Sequence, residues 1–272
     1  MRESYQTGRP LRMSRRAALR GLVTGSASLV LLAACGVPAV ANLASAARSG
    51  AGAAAYASMT SAGTGVNQAA QPSCVITPQQ TEGPYFVDER LTRSDIRTDP
   101  SDGTVAEGVP LRLSLQVSQI AANACTPLAG VYVDLWQCDA LGNYSDERDM
   151  NGLFDTRGKM FLRGGQITDE NGAVQFTTIY PGWYQGRTVH IHFKVRTALD
   201  AQSGHEMTSQ FYFDDAITDR VHALAPYVQK GQRTLRNDRD GIFRQGGSQL
   251  ILPLVEEGEG YAATFNLGLQ LT

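Results

Sequence analysis

Leu111-Arg112-Leu113-Ser114-Leu115-Gln116-Val117-Ser118 alternates apolar and polar residues without a break. Successive side chains on a strand point to opposite faces, so a period of two describes a strand with one buried face. Gly130-Val131-Tyr132-Val133-Asp134-Leu135-Trp136-Gln137 repeats the pattern after a turn that contains Pro127. Asp169-Glu170-Asn171-Gly172 is a turn sequence and Ala173–Ile179 a further strand. Strands are also predicted over Thr188–Val195 and Thr208–Phe213, with Ser248–Leu254 and Tyr261–Leu269 as a closing pair. One short helix is predicted over Thr218–Tyr227, and no internal repeat is visible. Many short strands joined by Gly and Pro turns predict an all-β fold, an antiparallel β-sandwich with that one helix.

The chain has 272 residues, and the sandwich needs only part of them. Arg2, Arg9, Arg12, Arg15, Arg16 and Arg20 make a basic start, followed by an uncharged apolar run from Gly21 to Ala34. That order is of signal-peptide type, and the run is too short for a typical spanning helix. Ser14-Arg15-Arg16-Ala17-Ala18-Leu19-Arg20 is similar to a twin-arginine export signal, and either Met1 or Met13 could begin translation. Leu32-Ala33-Ala34-Cys35 resembles a bacterial lipobox. A lipidated Cys35 would anchor the protein firmly if it carried more than one acyl chain; the competing reading is a plain cleavage site with an incidental cysteine. Val37–Pro72 is rich in Ala, Gly and Ser, with Arg48 its only charge, as in a flexible tether. The expected organisation is therefore a signal segment over 1–35, a linker over 36–72 and one domain over 73–272, exported and held at a membrane through Cys35.

Seven of the 24 Lys+Arg and one of the 26 Asp+Glu lie before residue 73. The expected domain thus carries 17 against 25, a formal charge of −8, and no basic patch points to nucleic acid. About 200 residues suffice for one full core. Of the cysteines beyond Cys35, Cys125 and Cys138 are expected at opposite ends of one hairpin, too far apart to bond. That favours Cys74–Cys125 with Cys138 free; the alternative is three small buried thiols.

Val189-His190-Ile191-His192-Phe193 carries the chemistry. On a strand His190 and His192 project to the same side. Alone, the pair is equally the wet face of a half-buried strand. Tyr184 lies six residues upstream of His190, and Tyr144 further upstream in Gly142-Asn143-Tyr144-Ser145. Two imidazoles and two phenols make a nitrogen and oxygen donor set for a hard, oxidised metal. Tyr180 and Trp183 compete with Tyr184 as the important aromatic. Arg187 and Gln210, in isolation, read as a surface ion-pair partner and an outward strand residue. His205 and His222 are assigned as non-ligands.

Five ordered pieces resemble the intradiol ring-cleavage dioxygenases: Thr81–Phe86, Asp134–Ser145, Thr178–Tyr184, Gly186–Phe193 and Thr208–Phe213. The resemblance covers Pro78–Leu269. It implies a non-haem Fe(III) bound by Tyr144, Tyr184, His190 and His192, with Tyr184 the ligand that substrate displaces. It further implies Arg187 beside the substrate ring and Gln210 behind the metal site. The implied reaction uses dioxygen to cleave a catechol-type ring between its two hydroxylated carbons, giving a muconate-type diacid. Two phenolates and one hydroxide would balance the ferric charge, which lowers the cost of burying it. The segment before Ser73 is tether-like rather than helical, which draws the resemblance towards protocatechuate 3,4-dioxygenase-like catalytic domains. Arg148, Arg157 and Arg163, around the Ser145–Lys159 loop, are candidates to meet a ring carboxylate, against the plainer reading of solvated loop charges. The substrate stays open among catechol, protocatechuate, hydroxyquinol and larger phenols; so does the oligomeric state, a homodimer being one option. Three rivals stand beside this reading. One is an exported sandwich that binds carbohydrate or protein without catalysis. Another is a transthyretin-like domain. The third is a zinc hydrolase, which two tyrosine donors disfavour.

Overall fold

The computed structural model describes residues 75–271, apart from 123, 150, 151, 153 and 200–203. The expected signal segment, Cys35, the linker and Cys74 lie outside the described residues. In chain order the elements are β1 (Pro110–Ala121), β2 (Ala124–Pro127), β3 (Tyr132–Trp136), β4 (Arg163–Ile167), β5 (Ala173–Ile179), β6 (His190–Arg196), β7 (Glu206–Tyr212), α1 (Asp215–His222), β8 (Val255–Glu257) and β9 (Gly260–Leu269). They form two sheets. In one, β1 pairs with β2 and β5 on one side and with β9 on the other, and β8 flanks β9. The other runs β4-β3-β6-β7, antiparallel throughout.

The core is what the alternation in β1 demands. Leu111, Leu113, Leu115 and Val117 are buried, with Phe176 of β5 and Phe265 and Leu267 of β9 beside them. The other sheet contributes Val133, Leu135, Ile191, Phe193, Val195 and Phe211 to the same cluster. Each such side chain contributes about 1.5–3 kcal/mol on burial.

β6 departs from a half-wet strand, since all seven of its residues are buried. Ile191, Phe193 and Val195 face the core, so His190, His192, Lys194 and Arg196 share the opposite face. The segment around residues 82–88 covers that face. Lys194 pairs with Glu82, Arg196 with Asp88 at 2.8 Å, and the Phe86 ring lies 4.0 Å from Lys194 Nζ. Polar residues on this strand therefore mark a second buried layer, not solvent.

Three local expectations change. β1 and β9 pair in parallel, from Leu111 opposite Tyr261 to Gln119 opposite Leu269, because the intervening chain crosses over before β9 returns. Ser248–Leu254 does not form a strand. Gly246, at φ +92°, opens a 3₁₀ turn over Gly247–Leu250, and β8 begins only at Val255. Leu250 and Leu252 still enter the core, so the apolar run reported burial rather than pairing. The helix starts at Asp215, because Asp214 caps it by accepting from the Ala216 and Ile217 amides at 2.8 and 3.0 Å. It ends at His222, ahead of Pro226, and Tyr227 belongs to a separate 3₁₀ turn. Cys125 is disulfide-bonded to a partner outside the described residues, and Cys138 is a free, buried thiol.

Candidate active site

Two loops carry the tyrosines, and they lock to each other through backbone. The Asp139 carboxylate accepts from the Leu141 and Asn143 amides at 2.9 and 2.8 Å, which closes the turn before Tyr144. Gly142 sits at φ +82°, and a Cβ there would lie 2.1 Å from the Trp183 carbonyl oxygen. Gly182 donates its amide to the Asp139 carbonyl at 3.0 Å, and a Cβ on it would meet Ala140 O at 2.4 Å. Only glycine fits at either position. This contact fixes Tyr144 and Tyr184 as neighbours, with ring centroids 5.7 Å apart.

The two histidines complete the convergence. His190 Nε2 lies 3.0 Å from His192 Nε2, 3.2 Å from Tyr184 Oη and 3.5 Å from Tyr144 Oη. The Nδ1 of His190 is 2.7 Å from the Thr188 carbonyl oxygen, so it carries the proton and leaves Nε2 as a bare lone pair. Burial pushes both imidazoles well below the ordinary histidine range, and the Arg187 cation adds to this. Burial also pushes the Tyr144 and Tyr184 phenols up, against the pull of the Arg187 cation, so on their own they stay protonated. His192 Nδ1 has no hydrogen-bond partner among the described residues. Either tautomer of His192 therefore leaves a buried ring nitrogen unsatisfied or sets two lone pairs face to face at 3.0 Å. A metal ion held by both Nε2 atoms would take up the lone pairs they turn towards each other, and would also draw the protons from the phenols. No group of three or more His, Cys, Asp or Glu side chains that could hold a metal ion occurs among the described residues. The donor set is mixed instead, two imidazoles and two phenol oxygens, and it fits trivalent iron better than zinc.

Arg187 reaches the same point. Its Nη1 lies 3.4 Å from His190 Nε2, its Nη2 donates to Gln210 Oε1 at 2.6 Å, and its Nε donates to Asp240 Oδ2 at 2.9 Å. Gln210 is held in turn, donating Nε2 to the Thr81 carbonyl at 2.8 Å. Burial pushes the Asp240 carboxyl up, but amide donation from Thr188 and Phe243 together with Arg187 outweighs this and holds it below the usual range. Asp240 was not singled out from the sequence. Its signal lay in the Asn237-Asp238-Arg239-Asp240 turn, which has no spacing that points to the His-x-His strand.

Of the other expectations, Tyr180 donates to or accepts from Thr218 Oγ1 at 2.6 Å, and the Trp183 indole donates to Gly231 O at 3.1 Å, so neither joins the donors. His222 contacts Pro181 O and His205 is exposed, outside the convergence. Arg163 is buried and spent on Ser145 and on the Tyr85 carbonyl. Arg157 pairs with Asp155 on the surface, and Arg148 is exposed. None of these three arginines lines the cavity above the donors. That cavity has a volume of about 720 Å³, and its walls include Tyr85, Phe154, Trp183, Tyr184, Arg187 and Lys230. Sequence reading also gave no role to Tyr85, whose ring stacks on Tyr144 at 4.6 Å.

The Dioxygenase family model matches residues 81–240 of this chain. Among solved structures, an intradiol ring-cleavage dioxygenase from Tetranychus urticae shares 31% identity with a TM-score of 0.62; the match covers 72% of this chain and 95% of that one. The dioxygenase domain of a carbohydrate-binding fusion protein from Streptomyces sp. SirexAA-E shares 31% identity with a TM-score of 0.50, over 73% of this chain and all of that one. With its donor set, sandwich and motif order, the chain belongs to the intradiol ring-cleavage dioxygenase family. Catechol 1,2-dioxygenase 2 of Acinetobacter lwoffii is 27% identical over 57% of this chain, and the catechol 1,2-dioxygenase of Candida albicans 27% identical over 42%. The matched region spans 60% and 40% of the length of those two proteins.

Proposed function

We propose that this protein is a non-haem ferric dioxygenase. It cleaves the ring of a catechol-type substrate between its two hydroxylated carbons and uses dioxygen to yield a muconate-type diacid. The observation that carries the reading is the meeting of Tyr144, Tyr184, His190 and His192 at one point, with Arg187 beside them under an aromatic cavity.

Bound there, ferric iron would supply Lewis acidity towards the diol and draw electron density from its ring. The protein's own groups do the rest. His190 and His192 present neutral imidazoles, oriented at His190 by the Thr188 carbonyl. Tyr144 is fully buried beneath the cavity, whereas Tyr184 is half-buried and lines it. That asymmetry suits Tyr144 to a permanent place and Tyr184 Oη to accepting a proton from an arriving diol hydroxyl. Arg187 is a permanent cation fixed on two sides, placed to stabilise negative charge that develops on the substrate ring. A sandwich that only binds has no use for two unprotonated imidazoles buried against two phenols.

The test is iron analysis with a visible spectrum, followed by oxygen uptake on a panel of catechols. A coloured, iron-containing protein that consumes oxygen and releases a diacid is the expected result. An iron-loaded protein that consumes no oxygen with any catechol would reject the assignment. The proposal extends to location. The twin-arginine-like start and the Leu32-Ala33-Ala34-Cys35 sequence support export and a lipid anchor, which membrane fractionation of wild type and Cys35→Ser would check.

A further inference from the structure

One wall of the cavity is a run of aromatic rings from Tyr184 through Tyr85 to Phe154. Tyr184, whose hydroxyl is one of the four converging groups, meets Tyr85 edge to face with centroids 5.9 Å apart. Tyr85 meets Phe154 at 6.4 Å, tilted by 48°. All three rings line the same cavity of about 720 Å³. Pockets of ~300–1,000 Å³ are of a size that encloses drug-sized ligands, so a bare catechol leaves most of this one unfilled. Ring partners sit ~4.5–7 Å from each other. The first step of the row therefore serves a ring held at the donors, and the second step offers a place for another ring at Phe154.

Charge along the row matters as much as length. Tyr85 donates its hydroxyl to Asp149 Oδ1 at 3.4 Å, and Asp149 also lines the cavity. A carboxylate carried on the substrate in this direction would approach a carboxylate. Arg148, Arg157 and Arg163 are turned elsewhere, as described above. The cavity's two cations are committed: Arg187 to Asp240 and Gln210, and Lys230 to the Leu141 carbonyl with its Nζ 5.4 Å from the Trp183 ring.

Resting on the ring-cleavage reading, we infer that the substrate class is an uncharged catechol that carries a second ring, with Phe154 as the specificity-determining residue for that ring. The experiment compares catechol, biphenyl-3,4-diol and 3,4-dihydroxybenzoate by oxygen uptake with the iron-loaded protein. The biaryl diol should exceed both others in kcat/KM by roughly tenfold or more, the scale on which an apolar pocket discriminates. Phe154→Ala should bring biaryl diol and catechol within about twofold of each other. Equal or better turnover of catechol or the benzoate by the wild-type protein overturns the inference, as does a Phe154→Ala enzyme that keeps the preference. No uptake with any of the three diols overturns the ring-cleavage reading itself, and the inference with it.

Discussion

Trp136 lies flat against His192, with ring centroids 4.9 Å apart and planes 5° from parallel. His190 has a second support, the Thr188 carbonyl on Nδ1, whereas the Nδ1 of His192 has no hydrogen-bond partner among the described residues. Stacking therefore does for His192 what a hydrogen bond does for His190. Trp136 also contacts Phe86, with ring centroids 4.9 Å apart, and Phe86 covers Lys194 Nζ. The plane of the imidazole is thus tied, ring by ring, to the Glu82–Lys194 ion pair.

Replacing Trp136 should loosen the metal more than the fold chemistry around Arg187. Residues that orient a metal ligand typically affect affinity by ~10–100-fold. Trp136→Leu should release iron to a chelator at least tenfold faster than wild type, and Trp136→Phe, which keeps a stacking face, should fall between them. Release rates followed by loss of the visible band would decide this. Equal rates for all three proteins would mean that His192 is held by something else.

Stripping the metal should cost stability because of the His190–His192 contact. Two buried imidazole nitrogens 3.0 Å apart would share a metal ion, and without one they keep at most a single N–H···N hydrogen bond between them. A ligand at 100 times its Kd stabilises the folded state by ~2.7 kcal/mol. For a domain of this size that corresponds to a drop in Tm of about 5–10 °C on chelation. His192→Ala should show no such drop and should bind little iron. A wild-type Tm that chelation leaves unmoved would argue against a metal at this point.

Much of this site was legible because each donor sits in a pattern with a physical meaning. His190 and His192 share a face by the period of two, and Tyr144 and Tyr184 each follow a glycine turn. The alternation of Leu111–Val117 predicted the sheet that now covers the core, with the correct face inward. What the sequence hid was the second buried layer. Lys194 and Arg196 look like solvent-facing strand residues, and only the strap carrying Glu82, Phe86 and Asp88 makes them interior. Asp240 and Phe154 were hidden for the same reason, since they reach the site from distant turns whose local sequence says nothing about destination. Of the arginines of the 148–163 region, Arg148 and Arg157 are the solvated loop charges of the plainer reading, and only Arg163 departs from it. Arg163 points inward and is consumed by backbone carbonyls.

The second buried layer makes its own prediction at Asp134. Burial raises this carboxyl to about 7, against the pull of Arg196. Arg196 itself is pushed up by its carboxylate partners, Asp88 first, so the contact with Asp134 is attractive but too weak to offset the burial of that carboxyl. The distances give the reason: Arg196 lies 2.8 Å from Asp88 and 3.4 Å from Glu206 but 3.6 Å from Asp134, so Asp134 shares a guanidinium already spent on others. Between the ordinary carboxylate pKa and about 7, the folded state holds a proton that the unfolded state has released. Stability therefore falls as pH rises across that window, by at most roughly 4 kcal/mol at ~1.4 kcal/mol per pKa unit. Asp134→Asn should raise the urea midpoint at pH 8 and lose most of that gain at pH 5. A variant that is less stable than wild type at pH 8 would show the Arg196 contact to be net favourable after all.

Arg187 and Asp240 separate chemistry from support. Arg187→Gln removes the cation beside His190 but none of the four donors, so iron and colour should persist. Loss of one preorganised electrostatic partner commonly costs ~10²–10³ in kcat, and KM should change less than kcat because the effect belongs to charge that develops during reaction. Asp240→Asn touches no substrate. It removes the charge and leaves one oxygen where two now accept, Oδ2 from Arg187 Nε and the Thr188 amide at 2.9 and 2.8 Å, and Oδ1 from the Ile242 and Phe243 amides. Thr188 supplies the carbonyl that orients His190, so this one carboxylate braces both the Arg187 cation and the His190 ring. Breaking a buried pair by removing one partner costs about 3–5 kcal/mol, and Asp240→Asn should show a stability loss of that order together with a weaker visible band. Because the Asp240 carboxyl is held below its usual range, its contribution is present above that range and is lost only as pH falls through its lowered value. The stability difference between wild type and Asp240→Asn should then be flat from pH 5 to pH 8. A difference that shrinks across this interval would mean that some other group titrates in the pair's place.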